Sequence, residues 1–291
     1  LVQGADVSDQ FRLLQFQRNR ASRLDWDGFW EHREQVTSRI VSAGRRYRQP
    51  ALTILGAGNC NDICLRTCLN QYRSIALVDL DEEAMHGAME RQQVVSDQVK
   101  VYGNIDLTGC VDAMSDVTSE GYVRESTAGD ACRFETLAKH ARAIGPCEVV
   151  ASTCLLSQLI ETVTTRLGGK PEQQTSAAVA IRQRHLQDMM SLTSTGGMGV
   201  LITDFVSSDT APELLRVEPL DVAGFAAECI QRGNFFTGTN PHAIRRELTS
   251  GGAGFPAHAT VSAPWIWKLG CRVYLVASVE FQAMISSTTV P

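Results

Sequence analysis

Short apolar runs alternate with longer amphipathic stretches along most of this chain, and the alternation predicts its architecture. Leu52-Thr-Ile-Leu55, Ser74-Ile-Ala-Leu-Val-Asp79, Val99-Lys-Val-Tyr102, Cys147-Glu-Val-Val-Ala-Ser152 and Gly199-Val-Leu-Ile-Thr-Asp204 read as strands. They are short and rich in residues that suit a pleated, buried surface. Helical stretches over 62–72, 81–91, 133–144, 153–167 and 175–192 occupy the intervals, with acids opening 81–91 where the helix dipole favours them. Gly168 and Gly169 stop one helix, and residues 110–129, without a clean period, read as a loop with one helical turn. Strands that alternate with helices in this way build a doubly wound, mostly parallel α/β sheet.

The two ends depart from that rhythm. Residues 1–8 look like a loose tail, and 8–48 is helical in character, with Phe11, Leu14, Phe16, Trp26, Phe29, Trp30, Val36 and Ile40 among many Arg, Gln and Glu. It precedes the first strand and cannot be a crossover, so it docks outside the sheet or caps its mouth; Pro50 closes it. Residues 207–239 form a long insertion with a helix over 221–231, and Asn240-Pro241 start a short helix to 248 as cap and first residue. Strands over 263–269 and 272–281, with only Gly270 and Cys271 between them, have hairpin spacing. The expected whole is a seven-stranded, mostly parallel sheet with a C-terminal antiparallel hairpin. A helical cap over 1–49 precedes a domain over 50–291 with its insertion at about 207–239.

Candidate chemistry centres on Gly56-Ala-Gly58-Asn-Cys-Asn-Asp62. Strand, tight glycine turn and helix start make a nucleotide-shaped crevice. Asp79 lies 21 positions after Gly58, the spacing at which a carboxylate reaches ribose hydroxyls. The alternative for Asp79 is to cap the helix over 81–91. A net charge of −5 and a pI near 5.7 argue against a nucleic-acid partner. The chain shows no cationic, apolar leader and no apolar run near 18 residues, so no membrane partner is expected, and nine cysteines, an odd number, are read as reduced thiols of a cytoplasmic protein.

A glycine-turn strand, a second strand ending in Asp79, five parallel strands and a terminal hairpin together resemble the class I S-adenosylmethionine-dependent methyltransferases over about residues 50–281. The resemblance implies S-adenosyl-L-methionine as cofactor and methyl transfer to a small or medium-sized acceptor. It implies that Gly56 and Gly58 let the backbone approach the cofactor, with Asn59, Asn61 and Asp62 near its amino-acid portion. Asp79 would take the ribose, Leu80 would lie against adenine and Asp106 would meet the adenine amino group. Ser152, Thr153 and Cys154 would stand where sulfonium and acceptor meet, with Asp204 on the same rim. The chain departs from the family at Ile54, where an acid is usual, and at Asn59-Cys60-Asn61, which replace a third glycine.

Asp106 is otherwise a cap for a turn with Thr108, and Asp204 a loop carboxylate without chemistry. Cys60, Cys64 and Cys68 share a helical face if 62–72 is helical, and pack the sheet rather than hold a cluster. Six histidines show no paired metal spacing, so no metal is expected. His242, and likewise His32-Arg33, either reaches the cleft as a base or faces solvent. Trp26, Phe29, Trp30, Phe235 and Phe236 either wall an acceptor pocket or only pack the cap. Two other functions remain open: an NAD(P)-dependent oxidoreductase, whose fingerprint wants Gly or Ala where Asn61 stands, and a non-catalytic cofactor-binding protein. The oligomeric state is not legible.

Overall fold

The structure, a computed structural model, describes residues 7–108, 136–167, 170–251 and 257–283. Of the tail expected over 1–8, residues 1–6 lie outside the described residues and 7–8 already belong to a helix. The loop expected over 110–129 and the stop at Gly168 and Gly169 also lie outside them. Helices α1 (Val7–Ser22) and α2 (Trp30–Gly44), joined through a 3-10 turn at Asp27–Phe29, precede the sheet. Then come β1 (Ala51–Leu55), α3 (Leu65–Leu69), β2 (Ser74–Val78), α4 (Glu82–Arg91), β3 (Val99–Tyr102), α5 (Thr136–Ile144), β4 (Cys147–Thr153), α6 (Leu155–Leu167), α7 (Pro171–Leu192) and β5 (Thr193–Ser207). A 3-10 segment (Pro212–Arg216), α8 (Val222–Gln231), α9 (Pro241–Ser250), β6 (Ala257–Val261), β7 (Trp265–Leu269) and β8 (Arg272–Ala283) complete the chain.

The sheet runs β3-β2-β1-β4-β5-β8-β6, with β7 also paired to β8. Pairs among β1 to β5 are parallel, and β8 is antiparallel to β5, β6 and β7. The sheet therefore has eight strands rather than seven. The added one, Ala257-His-Ala-Thr-Val261, pairs Val279–Ala283, while β7 pairs residues 272–276 of the same strand. Its small side chains and exposed alternate positions carry little apolar signal, which is why the pattern misses it.

Alternation along each strand separates two cores. Leu52, Ile54, Ile75 and Leu77 face Val36 and Ile40 of α2, Cys68 of α3 and Met85 of α4. Leu55, Val78, Val150 and Leu201 face Leu156, Ile181, Met189 and Ile244 on the opposite side. Helices on both faces are what a parallel sheet requires, since both of its surfaces are apolar. A third cluster joins Leu214, Val222 and Ala226 of the 207–239 segment to Val273, Leu275 and Ala277 of β8.

Two expectations change. Residues 62–72 are helical only over Leu65–Leu69, so Cys60 and Cys64 lie before the helix and share no helical face with Cys68. The buried Gln92 accounts for this: its Nε2 donates to the carbonyls of Cys60 and Ile63, and its Oε1 accepts from Leu65 N at 2.8 Å. Backbone groups satisfied by a side chain have no need of helical partners. β5 also extends well before Gly199, starting at Thr193. Gly199 is needed there because the Phe281 ring lies on it; a Cβ would meet the ring at 2.0 Å.

Candidate active site

A cleft of about 970 Å³ opens over the C-terminal ends of the parallel strands, the edge at which open α/β sheets bind ligands. Sheet order sets its layout. Asp106 follows β3, Asp79 follows β2, the 56–62 turn follows β1, Thr153 and Cys154 end β4, and Asp204 lies near the end of β5.

The glycine turn is built by backbone geometry. Gly56 and Gly58 both have positive φ (71° and 43°), and Cys60 does too at 46°, a conformation glycine adopts without steric cost. Gly56 N and Ala57 N donate to Val78 O, which ties the turn to β2. Gly58 N donates to Asp79 Oδ2 at 2.9 Å, and Asp81 N donates to Asp79 Oδ1 at 2.9 Å. Asp81, not Asp79, caps α4, accepting from Ala84 N at 3.0 Å. The capping alternative for Asp79 is thus replaced by a carboxylate that bridges the glycine turn and the start of the next helix. Burial pushes its pKa up to about 6.

Helix α1 roofs this end, contributing Gln15, Arg18, Asn19 and Ser22 to the wall. Asn59 Nδ2 donates to Asn19 O and Ser22 Oγ, and Asn61 Nδ2 donates to Ser22 O at 2.7 Å. Asn61 is buried, and its Oδ1 has no partner among the described residues. From behind, Arg33 donates to Asn61 O at 2.8 Å and Arg91 donates to Asn59 O. Both guanidinium groups stack on Trp26, at 3.5 and 5.0 Å from its ring centre. Asp62 lies on the cleft wall, its pKa pushed up to about 6 by burial. Leu80 lines the cleft against Phe16. Asp106 also lines it, while its Oδ1 accepts from Thr108 N and Oγ1 at 2.8 and 2.6 Å; the turn-capping alternative is present.

The other end is formed by β4, β5 and the hairpin. Cys154 (φ 47°) lies on its wall, with burial holding its thiol well above the usual range. Asp204 is 7% exposed and accepts from Ser157 Oγ at 2.6 Å; burial pushes its pKa up to about 6. A register shift between Asp204 and Val206 leaves Phe205 unpaired against β8, and such bulges re-aim side chains beside functional clefts. Phe29, Phe235, Phe236, Trp267 and Tyr274 supply the aromatic surface. His32 is buried behind them, stacked on Trp267 at 4.3 Å with its Nδ1 accepting from Trp265 Nε1 at 3.1 Å. Burial and the neighbouring Arg39 lower its pKa to about 3, so it stays neutral and sets the wall.

Several predicted residues are placed elsewhere. Ser152 is fully buried with its Oγ 2.8 Å from His185 Nε2, and is not part of the cleft wall; alternation along β4 turns it toward α7. His242 is exposed on the first turn of α9, outside the cleft lining. Trp30 is 54% exposed and Trp26 backs the glycine turn, so neither walls the cleft. Sequence reasoning placed the N-terminal cap and residues 152–158 at the cleft, which takes in Asn19 and Ser157, but missed Trp267 and Tyr274. The alternation Trp265-Ile-Trp267 in the hairpin was the available signal.

Five parallel strands with a glycine turn after the first, an acid after the second and an antiparallel hairpin at the end complete the pattern on which the resemblance rests. The chain has the fold of the class I methyltransferases. No protein-family model matches the sequence, and no curated protein matches it. Among solved structures, it is similar to an O-methyltransferase family protein from Burkholderia thailandensis, with 14% identity over 94% of this chain and 60% of that one, TM-score 0.42. It is also similar to the N-methyltransferase NodS from Bradyrhizobium japonicum, with 12% identity over 90% of this chain and 100% of that one, TM-score 0.41. A third is human N-acetylserotonin methyltransferase, solved with S-adenosylmethionine, with 11% identity over 96% of this chain and 57% of that one, TM-score 0.38. The chain thus spans less than two thirds of the length of the first and third. The fold assignment rests on the sheet order rather than on these likenesses.

Proposed function

We propose that this protein binds S-adenosyl-L-methionine and transfers its methyl group to a small or medium-sized acceptor. The observation that carries the reading is the Gly58–Asp79 pair: the backbone comes close enough to the carboxylate to bond it, on a cleft wall. A Cβ at Gly58 would stand 3.3 Å from Asn19 Oδ1 and 3.8 Å from Asp79 Oδ2. A carboxylate offers about four acceptor positions; two hold amides here, leaving about two for a pair of ribose hydroxyls. At the methionine end, Asn61 Oδ1 is a buried acceptor without a donor, next to the Asp62 carboxylate. An ammonium group would satisfy both, in a chain that has Ile54 where the family keeps its acid. Leu80 and Ile105 provide apolar surface for a base, with Asp106 beside them.

The bound cofactor supplies an electrophilic methyl group. The chain itself binds, orients and excludes water, and holding acceptor and methyl in line at about 3–3.5 Å is the main source of acceleration. No described helix is long and apolar enough to cross a membrane. The NAD(P) alternative has no support in the turn, where the buried Asn61 fills the position its fingerprint gives to Gly or Ala.

Calorimetric titration with S-adenosylmethionine and S-adenosylhomocysteine tests the reading. Binding by the wild type that is lost in Asp79→Ala is expected; a wild type that binds neither compound would sink it. Cofactor binding without methyl transfer to any acceptor would favour the non-catalytic alternative.

A further inference from the structure

The two ends of the cleft differ in how their charges are matched. On the β5 side, Arg18 pairs with Glu161 at 3.1 Å and Arg272 pairs with Asp209 at 3.0 Å. Asp204, buried on the same wall, accepts from the Ser157 hydroxyl and forms no ion pair among the described residues. A buried carboxylate without a cation is costly unless a ligand supplies one. Tyr274 and Trp267 stand with their rings 5.3 Å apart on the same wall, joined there by Phe235 and Phe236. Aromatic faces beside a carboxylate form a site for an organic cation. Trp267 Nε1, buried on that wall, has no partner among the described residues, which leaves a donor for an acceptor atom of the same ligand.

We propose, resting on the methyl-transfer reading above, that the acceptor is an amine, bound as its ammonium between the Asp204 carboxylate and the Phe235, Phe236, Trp267 and Tyr274 wall. Position separates this site from the cofactor's. Asp79 follows β2 and Asp204 lies near the end of β5, three spacings away in the sheet, about 14 Å at ~4.8 Å per spacing. A cofactor held at Asp79 and Asn61 would therefore place its methyl toward β4, with Asp204 beyond it. A carboxylate or phenolate acceptor would instead bring a second negative charge beside Asp204, since Glu161 and Asp209 are already matched by Arg18 and Arg272. Loss of one proton from the ammonium, to the Asp204 carboxylate or to water, frees the nitrogen lone pair. That pair forms the N–C bond, the S–C pair returns to sulfur, and the product leaves as a methylated amine with no oxidant or reductant involved.

The test uses the whole protein saturated with S-adenosylhomocysteine and titrated with 2-phenylethylamine and benzylamine. Their uncharged and anionic counterparts, 2-phenylethanol and 3-phenylpropionate, serve as controls. At least one amine is expected to bind saturably, at least tenfold more tightly than either control. Asp204→Asn should lower amine affinity at least tenfold while S-adenosylhomocysteine affinity stays within twofold. Equal binding of alcohol or acid, binding by neither amine, or an Asp204→Asn protein that keeps full amine affinity would overturn the proposal. If that variant does not fold, the wild-type pH profile decides: amine affinity should fall as pH drops through about 6, where Asp204 gains its proton. The other charged or titratable groups on that wall are Glu161, Asp209, Arg18, Arg272, Cys154 and Tyr274. A profile flat from pH 8 to 5 would also overturn it. Amine binding without any binding of S-adenosylhomocysteine would instead sink the methyl-transfer reading and leave the cation site standing.

Discussion

Asp79 and Asp204 follow or end parallel strands, line the same cleft, and have pKa values pushed up to about 6 by the same cause, burial. Their surroundings are nevertheless opposite in kind. Asp79 takes two backbone amides, from Gly58 and Asp81, both within the local strand–turn–helix unit. Asp204 takes one hydroxyl, from Ser157, which is 47 positions away in sequence. Asp79 is therefore part of the scaffold as well as a candidate ligand group, whereas Asp204 is tied through the Ser157 hydroxyl and forms no ion pair among the described residues. The difference separates a position whose role is built into the fold from one whose charge makes sense only with a bound cation.

The strongest way to break this comparison is at the cofactor end. Asp79→Ala removes two hydroxyl acceptors and unties Gly58 N. At about 1–1.5 kcal/mol for each lost bond, S-adenosylhomocysteine affinity should fall about 100-fold by calorimetry. A loss under fivefold would mean that Asp79 serves the turn alone.

The isosteric amides then separate the two acids by stability. Each carboxyl has a folded pKa raised from 3.8 to about 6. For a group raised in this way, the contribution to stability is fully present below the unfolded value and lost as pH rises through the folded one. Asp204→Asn should therefore stabilise the ligand-free protein at pH 8 by on the order of 2 kcal/mol, a gain that vanishes below pH 4. Asn can still accept from Ser157. Asp79→Asn gains the same relief, but its amide nitrogen cannot accept, so one backbone N–H is left facing a donor at a cost of about 1–3 kcal/mol. Thermal melts at both pH values should show Asp204→Asn melting well above Asp79→Asn; equal melting curves would show that the two carboxyls are held alike.

That contrast also explains what the sequence could and could not reveal. The glycine turn, Asp79 and the strand order were legible because each depends on local spacing and apolar periodicity. Ser152 was misplaced because a one-residue step along β4 exchanges the two faces of the sheet, and the pattern there is apolar on both. His32 and Trp267 lie 235 positions apart, and nothing short of the folded sheet could show that they stack. The same holds for Asn19, whose approach to the glycine turn depends on where α1 docks. β6 was lost because an edge strand of Ala, His and Thr has little to bury.

Gly58→Ala is a milder probe of the cofactor end. At φ 43° a side chain is strained, and its Cβ meets Asn19 Oδ1 at 3.3 Å. A left-handed penalty of about 1–2 kcal/mol is expected, with a roughly tenfold loss of cofactor affinity if the roof over the turn shifts. Asn19→Ala in the same background should recover part of that loss by removing the close contact. No recovery in the double variant would place the strain in the backbone rather than against α1.

The smallest effect belongs to Arg18, whose bond to Glu161 spans the cleft from α1 to α6. Both side chains are well exposed, at 36% and 61%, so solvent screening limits the pair to less than about 0.5–1 kcal/mol. Arg18→Ala should leave the melting temperature almost unchanged. Its informative consequence is electrostatic, because it releases Glu161 on the wall that already carries Asp204. If a cation occupies that wall, the added negative charge should tighten amine binding about two- to threefold at low salt, and the gain should disappear near 0.5 M salt. If Arg18 acts instead only as a strut for α1, amine affinity will fall and salt will not change it. The sign of this small effect therefore tests whether the β5 end of the cleft is read by its charge.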